Sequence, residues 1–381
     1  MKLAIIRRSY TPFGGAELYL NLIIQALLAL GHEVHVYASQ WQAPSQPGLF
    51  FHRVNEIKLF SFIGVLSFAL RAKKLLTGHD YDAVLSVERT LLQDIFYAQD
   101  GCHKEWLRQR RQISGWWKRL TFHINPLHLC YLWIERRLFQ DPKLKKVIAI
   151  SHRCKEEMIR HYGLADSKIT VIHNAILPVD PPGEEGRQAG RDALLNEYNL
   201  SDDHLLLLFV GSGFKRKGVD FIIKAMPKLI LRGIKPALFV VGRGSSRPYR
   251  HLVSSLGLVN KVFFTGPVSE PFSRFSGCDI FVFPSIYEPF GIACLEAMAH
   301  GLPVITSRIS GVSEVVEPGV SGLVVSDPTN PDQIADQIES LADATVRQDM
   351  GRAAVARVAG LTIQENVAKI MAVINEVAEN K

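Results

Sequence analysis

The sequence predicts an α/β protein made of two Rossmann-like domains, each a doubly wound parallel sheet. Short apolar runs alternate with helical patterns along the whole chain, the mark of strands joined by crossover helices. The alternation falls into two series, separated by a stretch rich in proline, glycine and acid. The 381 residues exceed what one core usually serves, about 150–200 per domain. With 47% hydrophobic and 21% charged residues, the composition excludes a disordered, collagenous or low-complexity chain.

In the first series, residues 3–6 read as a strand, 16–30 as a helix and 34–37 as a strand, with later strands at 83–86 and 147–150. The second series places strands at 205–210, 237–241, 262–264, 280–283, 304–306 and 323–325. Between them the run from Pro178 to Gly186 puts a linker at 174–190. The expected domains are 1–175, 190–360 and a C-terminal segment 361–381, whose amphipathic helix packs back toward the first domain.

The N-terminal apolar run ends at Arg7-Arg8, too short for a signal peptide, and the five cysteines show no metal-finger spacing, so reduced thiols and a cytosolic location are expected. The longest uncharged stretches, 59–70 and 120–134, fall short of the roughly 20 residues a spanning helix needs. The net charge of +7 is concentrated: between Lys104 and Arg137 stand eight Lys or Arg against Glu105 and Glu135. Four of the five tryptophans share that segment. Cations attract anionic headgroups and indole rings settle at the interface, so Trp106, Arg110, Arg111, Trp116, Trp117, Lys118 and Arg119 are candidate contacts to an anionic membrane surface. A basic surface helix packing its tryptophans inward is the plainer alternative. No nucleic-acid-binding motif accompanies the segment, so nucleic acid is not an expected partner.

Three turns could carry chemistry. Gly14-Gly15 precede the first helix, where missing Cβ atoms let amides approach a phosphate. After the strand ending at Val210, Lys215-Arg216-Lys217 could hold a diphosphate, in a spacing that fits neither the dinucleotide fingerprint nor a Walker loop. In the run from Pro284 to Ile305 a strand ends, a tight loop carries Glu288, and a helix opens near Gly291 with Glu296 inside it. Two carboxylates could accept from the hydroxyls of a polyol while the helix start takes its phosphate. Asp80-Tyr81-Asp82 has the spacing of a metal-binding D-x-D pair but reads as a turn before a strand.

The run from Glu288 to Glu296 resembles the Glu-x7-Glu signature of the retaining glycosyltransferases of family 4, which have the two-domain GT-B fold with a cleft between the domains. Gly14-Gly15, Gly31-His32-Glu33-Val34, His173-Asn174, Lys217-Gly218 and Gly322-Leu323-Val324 occur in the same order. The resemblance implies that Glu288 reaches the donor sugar and that amides around Phe290, Gly291 and Ile292 touch sugar and diphosphate. It further implies that Glu296 binds the ribose and that Arg216 and Lys217 hold the diphosphate. Ser212 stands where many members have Arg. The segment from Ile95 to Leu107 is similar to one in lipopolysaccharide core glucosyltransferases, which makes Asp100 the candidate acceptor-orienting group or base and His103 its polar neighbour.

The expected function is transfer of a hexose, most readily glucose from UDP-glucose, to a lipid-linked core oligosaccharide at the inner face of the inner membrane. The nucleotide sugar is a co-substrate, and neither metal nor other cofactor is expected. Transfer to another polysaccharide or lipid, and an idle membrane-bound module that only binds nucleotide sugar, stand as alternatives.

Overall fold

The computed structural model describes residues 1–9, 15–41, 46–113, 115–116, 121–122, 124–176 and 179–380. The chain opens with β1 (Lys2–Ile6), α1 (Gly15–Ala29), β2 (Glu33–Ala38), β3 (Leu49–Arg53), α2 (Ser61–Leu76), β4 (Ala83–Ser86) and β5 (Ile95–Tyr97). It continues with α3 (His103–Gln112), α4 (Pro126–Phe139), β6 (Lys146–Ala149), α5 (His152–Tyr162) and β7 (Ile169–Val171). There follow α6 (Glu184–Tyr198), β8 (His204–Val210), α7 (Val219–Leu231), β9 (Lys235–Val241), α8 (Arg247–Ser255), β10 (Val262–Gly266) and the single turn α9 (Pro271–Arg274). The last elements are β11 (Ile280–Phe283), α10 (Ile292–Ala299), β12 (Val304–Ser307), β13 (Gly322–Val325), α11 (Pro331–Glu339), α12 (Ala344–Val358) and α13 (Ile363–Glu379).

These elements form two compact units, Met1–Asn174 with Ile363–Lys381, and Ala175–Thr362. The first holds a parallel sheet of order β3-β2-β1-β4-β5-β6-β7. Its central strands are near-continuous apolar runs because helices cover both faces, and Leu3, Ala4, Ile5 and Ile6 are all buried. The edge strand β3 is half exposed, and Phe50 and Phe51 on it are both partly exposed. Helix α13 is tied to this unit by Lys146 Nζ, 2.7 Å from Glu376, by Lys145 Nζ, which donates to the Asn380 carbonyl at 2.7 Å, and by Asn366 Nδ2, which donates to the His173 carbonyl.

The second unit holds a parallel sheet of order β10-β9-β8-β11-β12-β13. Helix α6 begins at Glu184, inside the segment read as linker. Two acids at a helix N-terminus complement its dipole, and the same Glu184-Glu185 pair looks like a solvated linker when only composition is considered. Asp82 Oδ2 accepts from the Lys2 amide at 2.6 Å and the Tyr81 hydroxyl lies 2.6 Å from that of Tyr37. The D-x-D spacing therefore tethers the start of β1, at the strand ends remote from the loops after β1 and β4.

The basic segment of the first unit also hides its two acids. Glu105 and Glu135 are 2% and 1% exposed, so they belong to the interior rather than to a charged surface. Glu135 accepts from Arg89 Nε at 2.8 Å, the His103 amide at 2.6 Å and the Tyr162 hydroxyl at 2.6 Å. Removing one partner of a buried pair strands the other charge, at a cost of about 3–5 kcal/mol. Because every tryptophan lies between Trp41 and Trp133, indole fluorescence reports on the first unit alone. Glu135→Ala is expected to lower the urea midpoint followed by that signal and to leave unfolding of the second unit in place; an unchanged fluorescence midpoint would sink this account.

Candidate active site

In the second unit, β8 and β11 are adjacent and the connections leave them in opposite directions. In such a sheet the loops at the C-terminal strand ends part at this point and leave a crevice. The loop after β8 starts at Gly211 and ends at Gly218, whose φ of +79° suits glycine and where a Cβ would lie 2.2 Å from the Pro284 carbonyl oxygen. Only a glycine lets α7 start against the end of β11. The two loops are stitched together: the Ile286 amide donates to the Arg216 carbonyl at 3.0 Å and the Ser285 hydroxyl to the same oxygen at 3.1 Å.

That backbone contact brings Arg216, Lys217 and Glu288 into one cluster. Arg216 Nη1 donates to Glu288 Oε2 and to the Tyr287 carbonyl, both at 2.9 Å. Lys217 Nζ lies 3.6 Å from the same carboxylate oxygen and 4.7 Å from the centre of the Phe283 ring. Burial pushes the Glu288 carboxyl upward, but Arg216 and Lys217 outweigh it and hold the group below the usual carboxylate range. For Lys217 burial dominates and lowers the ammonium, with Glu288 opposing.

The helix α10 opens at Gly291, φ +109°, with no side-chain cap. The Cys294 amide donates to the Gly291 carbonyl at 2.9 Å, which leaves the Ile292 and Ala293 amides of the first turn for a ligand, where the helix dipole favours an anion. The preceding loop is fixed by the Gly311 amide, which donates to the Glu288 carbonyl at 3.0 Å, and by the Val312 amide, which donates to that of Phe290 at 2.7 Å. The Phe290 ring is 1% exposed, so any contribution of that residue to a ligand comes from its backbone. Ile292 is the first residue of the helix and Glu296 lies in its second turn. Burial pushes the Glu296 carboxyl up to about 7, with Lys217 opposing.

In the first unit the order reverses between β1 and β4; Arg7 and Arg8 follow β1 directly, and Glu88 and Arg89 follow β4 after Val87. Sequence reasoning missed this cluster; the signal available was a doublet of charges shortly after each apolar strand. Asp100, half exposed, has its carboxylate 3.7 Å from Arg7 Nη1 and 3.9 Å from Arg89 Nη1. Arg89 is fixed in turn by Glu135 and by the Gly101 carbonyl, 2.9 Å from its Nη2. Burial raises the Glu88 carboxyl, Arg7 opposes it, and Asp100 adds to it. Burial, with Arg89 and His128 adding, drives His103 down to about 3. A neutral imidazole of that pKa is a poor proton acceptor. The His103 Nε2 lies 3.2 Å from His128 Nδ1.

Of the remaining sequence candidates, Gly15 is the first residue of α1, whereas Gly14, Trp117, Lys118 and Arg119 lie outside the described residues. Trp116 is 61% exposed and Arg111 is exposed. Arg110 is placed over the Phe122 ring, 4.8 Å from its centre, and 5.8 Å from that of the half-buried Trp106. Helix α4 adds exposed Leu129 and Trp133 one turn apart. The Cys130 thiol, 3.6 Å from the Phe62 carbonyl, sets this helix beside the start of α2, where Leu59 and Phe60 are 70% and 59% exposed. Exposed apolar side chains thus occur outside the tryptophan segment as well.

The raised Glu296 gives a pH test. Its folded pKa of about 7 exceeds the ordinary value of about 4.3, so the folded state holds its proton more tightly than the unfolded one. The contribution to stability is greatest at low pH and is lost as pH rises through 7. Relative to the parent, Glu296→Gln is expected to melt progressively higher as pH goes from about 5 to about 8 in scanning calorimetry. A difference that does not change with pH would refute the assignment.

Two families match the chain in tandem: Glycosyltransferase Family 4 over residues 13–178 and Glycosyl transferases group 1 over residues 190–357. The lipopolysaccharide glucosyltransferase WaaG of Escherichia coli is 26% identical over 336 residues, covering 88% of this chain and 87% of that protein. The crystal structure of WaaG, described as a glycosyltransferase involved in lipopolysaccharide biosynthesis, superposes with a TM-score of 0.83 at 24% identity, over 98% of this chain and 99% of that one. The Anabaena protein HepE, solved in complex with UDP-glucose, has a TM-score of 0.73 at 20% identity, over 99% and 100% of the two chains. Both sheets, the loops at their reversal points and the paired family matches lead to one assignment: the chain belongs to the glycosyltransferases of GT-B fold.

Proposed function

We propose that this glycosyltransferase moves glucose from UDP-glucose, with retention of configuration, to the core oligosaccharide of a lipopolysaccharide. The observation that carries the donor half is the Glu288 carboxylate, held ionised by Arg216 and Lys217 beside the uncapped start of α10. Such a group accepts from sugar hydroxyls, while the cations and helix amides stabilise the charge that gathers on a departing diphosphate. The likeness to HepE with UDP-glucose and to WaaG supports the choice of sugar nucleotide and acceptor class.

The acceptor would meet the cluster of Arg7, Glu88, Arg89 and Asp100, in which Asp100 is the exposed carboxylate able to take and orient a hydroxyl. Catalysis needs no metal in this proposal, because Arg216, Lys217 and the helix start supply the positive charge. With UDP-glucose and truncated core acceptor, UDP release is expected to persist in EDTA and to fall by about 10²-fold or more in Glu288→Ala. Turnover lost on chelation and restored by a divalent ion would overturn the metal-free reading. A different sugar nucleotide used in preference would overturn the donor assignment.

The acceptor's lipid places the reaction at a membrane, which the exposed Trp116, Trp133, Leu59 and Phe60 beside exposed Arg111 would contact. No helix among the described residues is long and apolar enough to cross a membrane. Each cation near an anionic surface is worth about 1 kcal/mol. Arg111→Gln with Trp116→Ala is therefore expected to weaken binding to phosphatidylglycerol vesicles and leave hydrolysis of UDP-glucose in solution unchanged. Equal binding by parent and variant would argue against this surface.

A further inference from the structure

At the N-terminal strand ends of the second unit, away from the Glu288 loop, lies a cavity of about 680 Å³. Its walls come from the start of α6, the residues leading into β11 and β12, and α12. That volume is within the range of small-molecule sites, about 300–1,000 Å³. Four guanidinium groups line it: Arg187, Arg191, Arg347 and Arg352.

Three of the four are already matched with carboxylates. Arg191 Nη1 lies 3.0 Å from Asp279 Oδ2 and its Nε 3.3 Å from Asp202. Arg347 takes the other Asp279 oxygen at 3.2 Å and donates to the Leu341 and Ala342 carbonyls. Arg352 pairs with Asp349. Among the described residues Arg187 has no carboxylate within ion-pair distance; it donates a hydrogen bond to the His300 carbonyl at the end of α10. That contact suits a cation at a helix C-terminus but uses one edge of a group with five donors. Burial lowers the Arg187 pKa, with Asp279 opposing.

The backbone is shaped around this guanidinium. Gly301 has φ +70°, and a Cβ there would lie 2.5 Å from Arg187 Nη2. On the cavity wall the free acid is Glu184, exposed at the α6 start, while Asp279 is shared by two arginines. Pro181, Pro303 and Val355 give the cavity an apolar side. A half-buried guanidinium with unused donors, facing a roomy space with a mixed wall, matches an anionic head on a small organic body.

We infer that this cavity binds a small phosphorylated organic molecule, its phosphoryl group seated on Arg187 and its body against the proline-lined wall. The site is distinct from the Arg216 and Lys217 cluster, which follows the opposite ends of the same strands.

The test uses the full chain carrying Arg216→Gln and Lys217→Gln, so that the other candidate anion site cannot answer for this one. Binding of inorganic phosphate, pyrophosphate and glucose 6-phosphate is followed by titration calorimetry at constant ionic strength. The expected result is saturable binding of glucose 6-phosphate, tighter than that of inorganic phosphate, weakened about tenfold or more by Arg187→Gln. Gln348→Glu, which sets a carboxylate on an exposed position of the cavity wall, is expected to weaken it as well and keeps the test open if Arg187→Gln does not fold. Binding that vanishes with the Arg216 and Lys217 substitutions, that ignores Gln348→Glu, or that is saturable for none of the probes overturns the site. Equal affinity for inorganic phosphate and glucose 6-phosphate overturns the organic ligand.

Discussion

One carboxylate kept charged in the interior organises the candidate donor site. Burying an ion is costly unless it is paired and hydrogen-bonded, and Glu288 is only 12% exposed at its side chain. Arg216 and Lys217 meet that requirement, and they can do so only because the loop after β8 is bound to the loop after β11 through the Arg216 carbonyl. Gly218 permits the approach; a side chain there would strike the Pro284 carbonyl. The charge cluster and the backbone geometry are thus one constraint seen twice. If the loops separated, Glu288 would lose its cations and the cations their fixed position.

The same topological logic acts in the first unit with a different outcome. Both sheets are all-parallel with one reversal of strand order, and both carry charged residues in the loops that follow the strands flanking it. In the second unit the cations converge on one acid. In the first, Arg89 is anchored by the deeply buried Glu135 and leaves Asp100 half exposed at longer range. A carboxylate that is held loosely and reaches solvent is suited to exchanging partners with a sugar hydroxyl, whereas Glu135, which accepts from three different elements, is suited to holding a loop still.

Much of this was legible in the sequence, for reasons that also explain the failures. The strands β1, β8 and β11 are built on continuous apolar runs, ended by Arg7, Gly211 and Pro284, and such runs need no partner to be recognised. Strands β5 and β7 have three residues each, too few for any periodicity. Strand β3 is a half-exposed edge, and its pattern mixes aromatic and basic residues. Residues 284–305 announced the donor loop because turn, acid and helix start are local features. The Arg7, Glu88, Arg89 and Asp100 cluster did not, because only the crossover order brings those loops together. The burial of Glu105 and Glu135 could not be read for the same reason: their partners His161 and Tyr162 lie on α5, far along the chain.

The second acid of the donor loop resolves an electrostatic difficulty. A site meant for a diphosphate should not present two ionised carboxylates, since each would repel the ligand across a low-dielectric pocket. Glu288 has its charge balanced by two cations, so that trio carries a net positive charge. Glu296 has no such partner at hydrogen-bond distance among the described residues, and burial pushes its carboxyl up to about 7. When protonated it can donate to a hydroxyl and when ionised accept from one, and the raised pKa lessens the negative charge it adds. A donor loop of this kind could offer two carboxyl groups to hydroxyls and still draw an anion, because one acid is paired with arginine and lysine and burial disfavours the charge of the other.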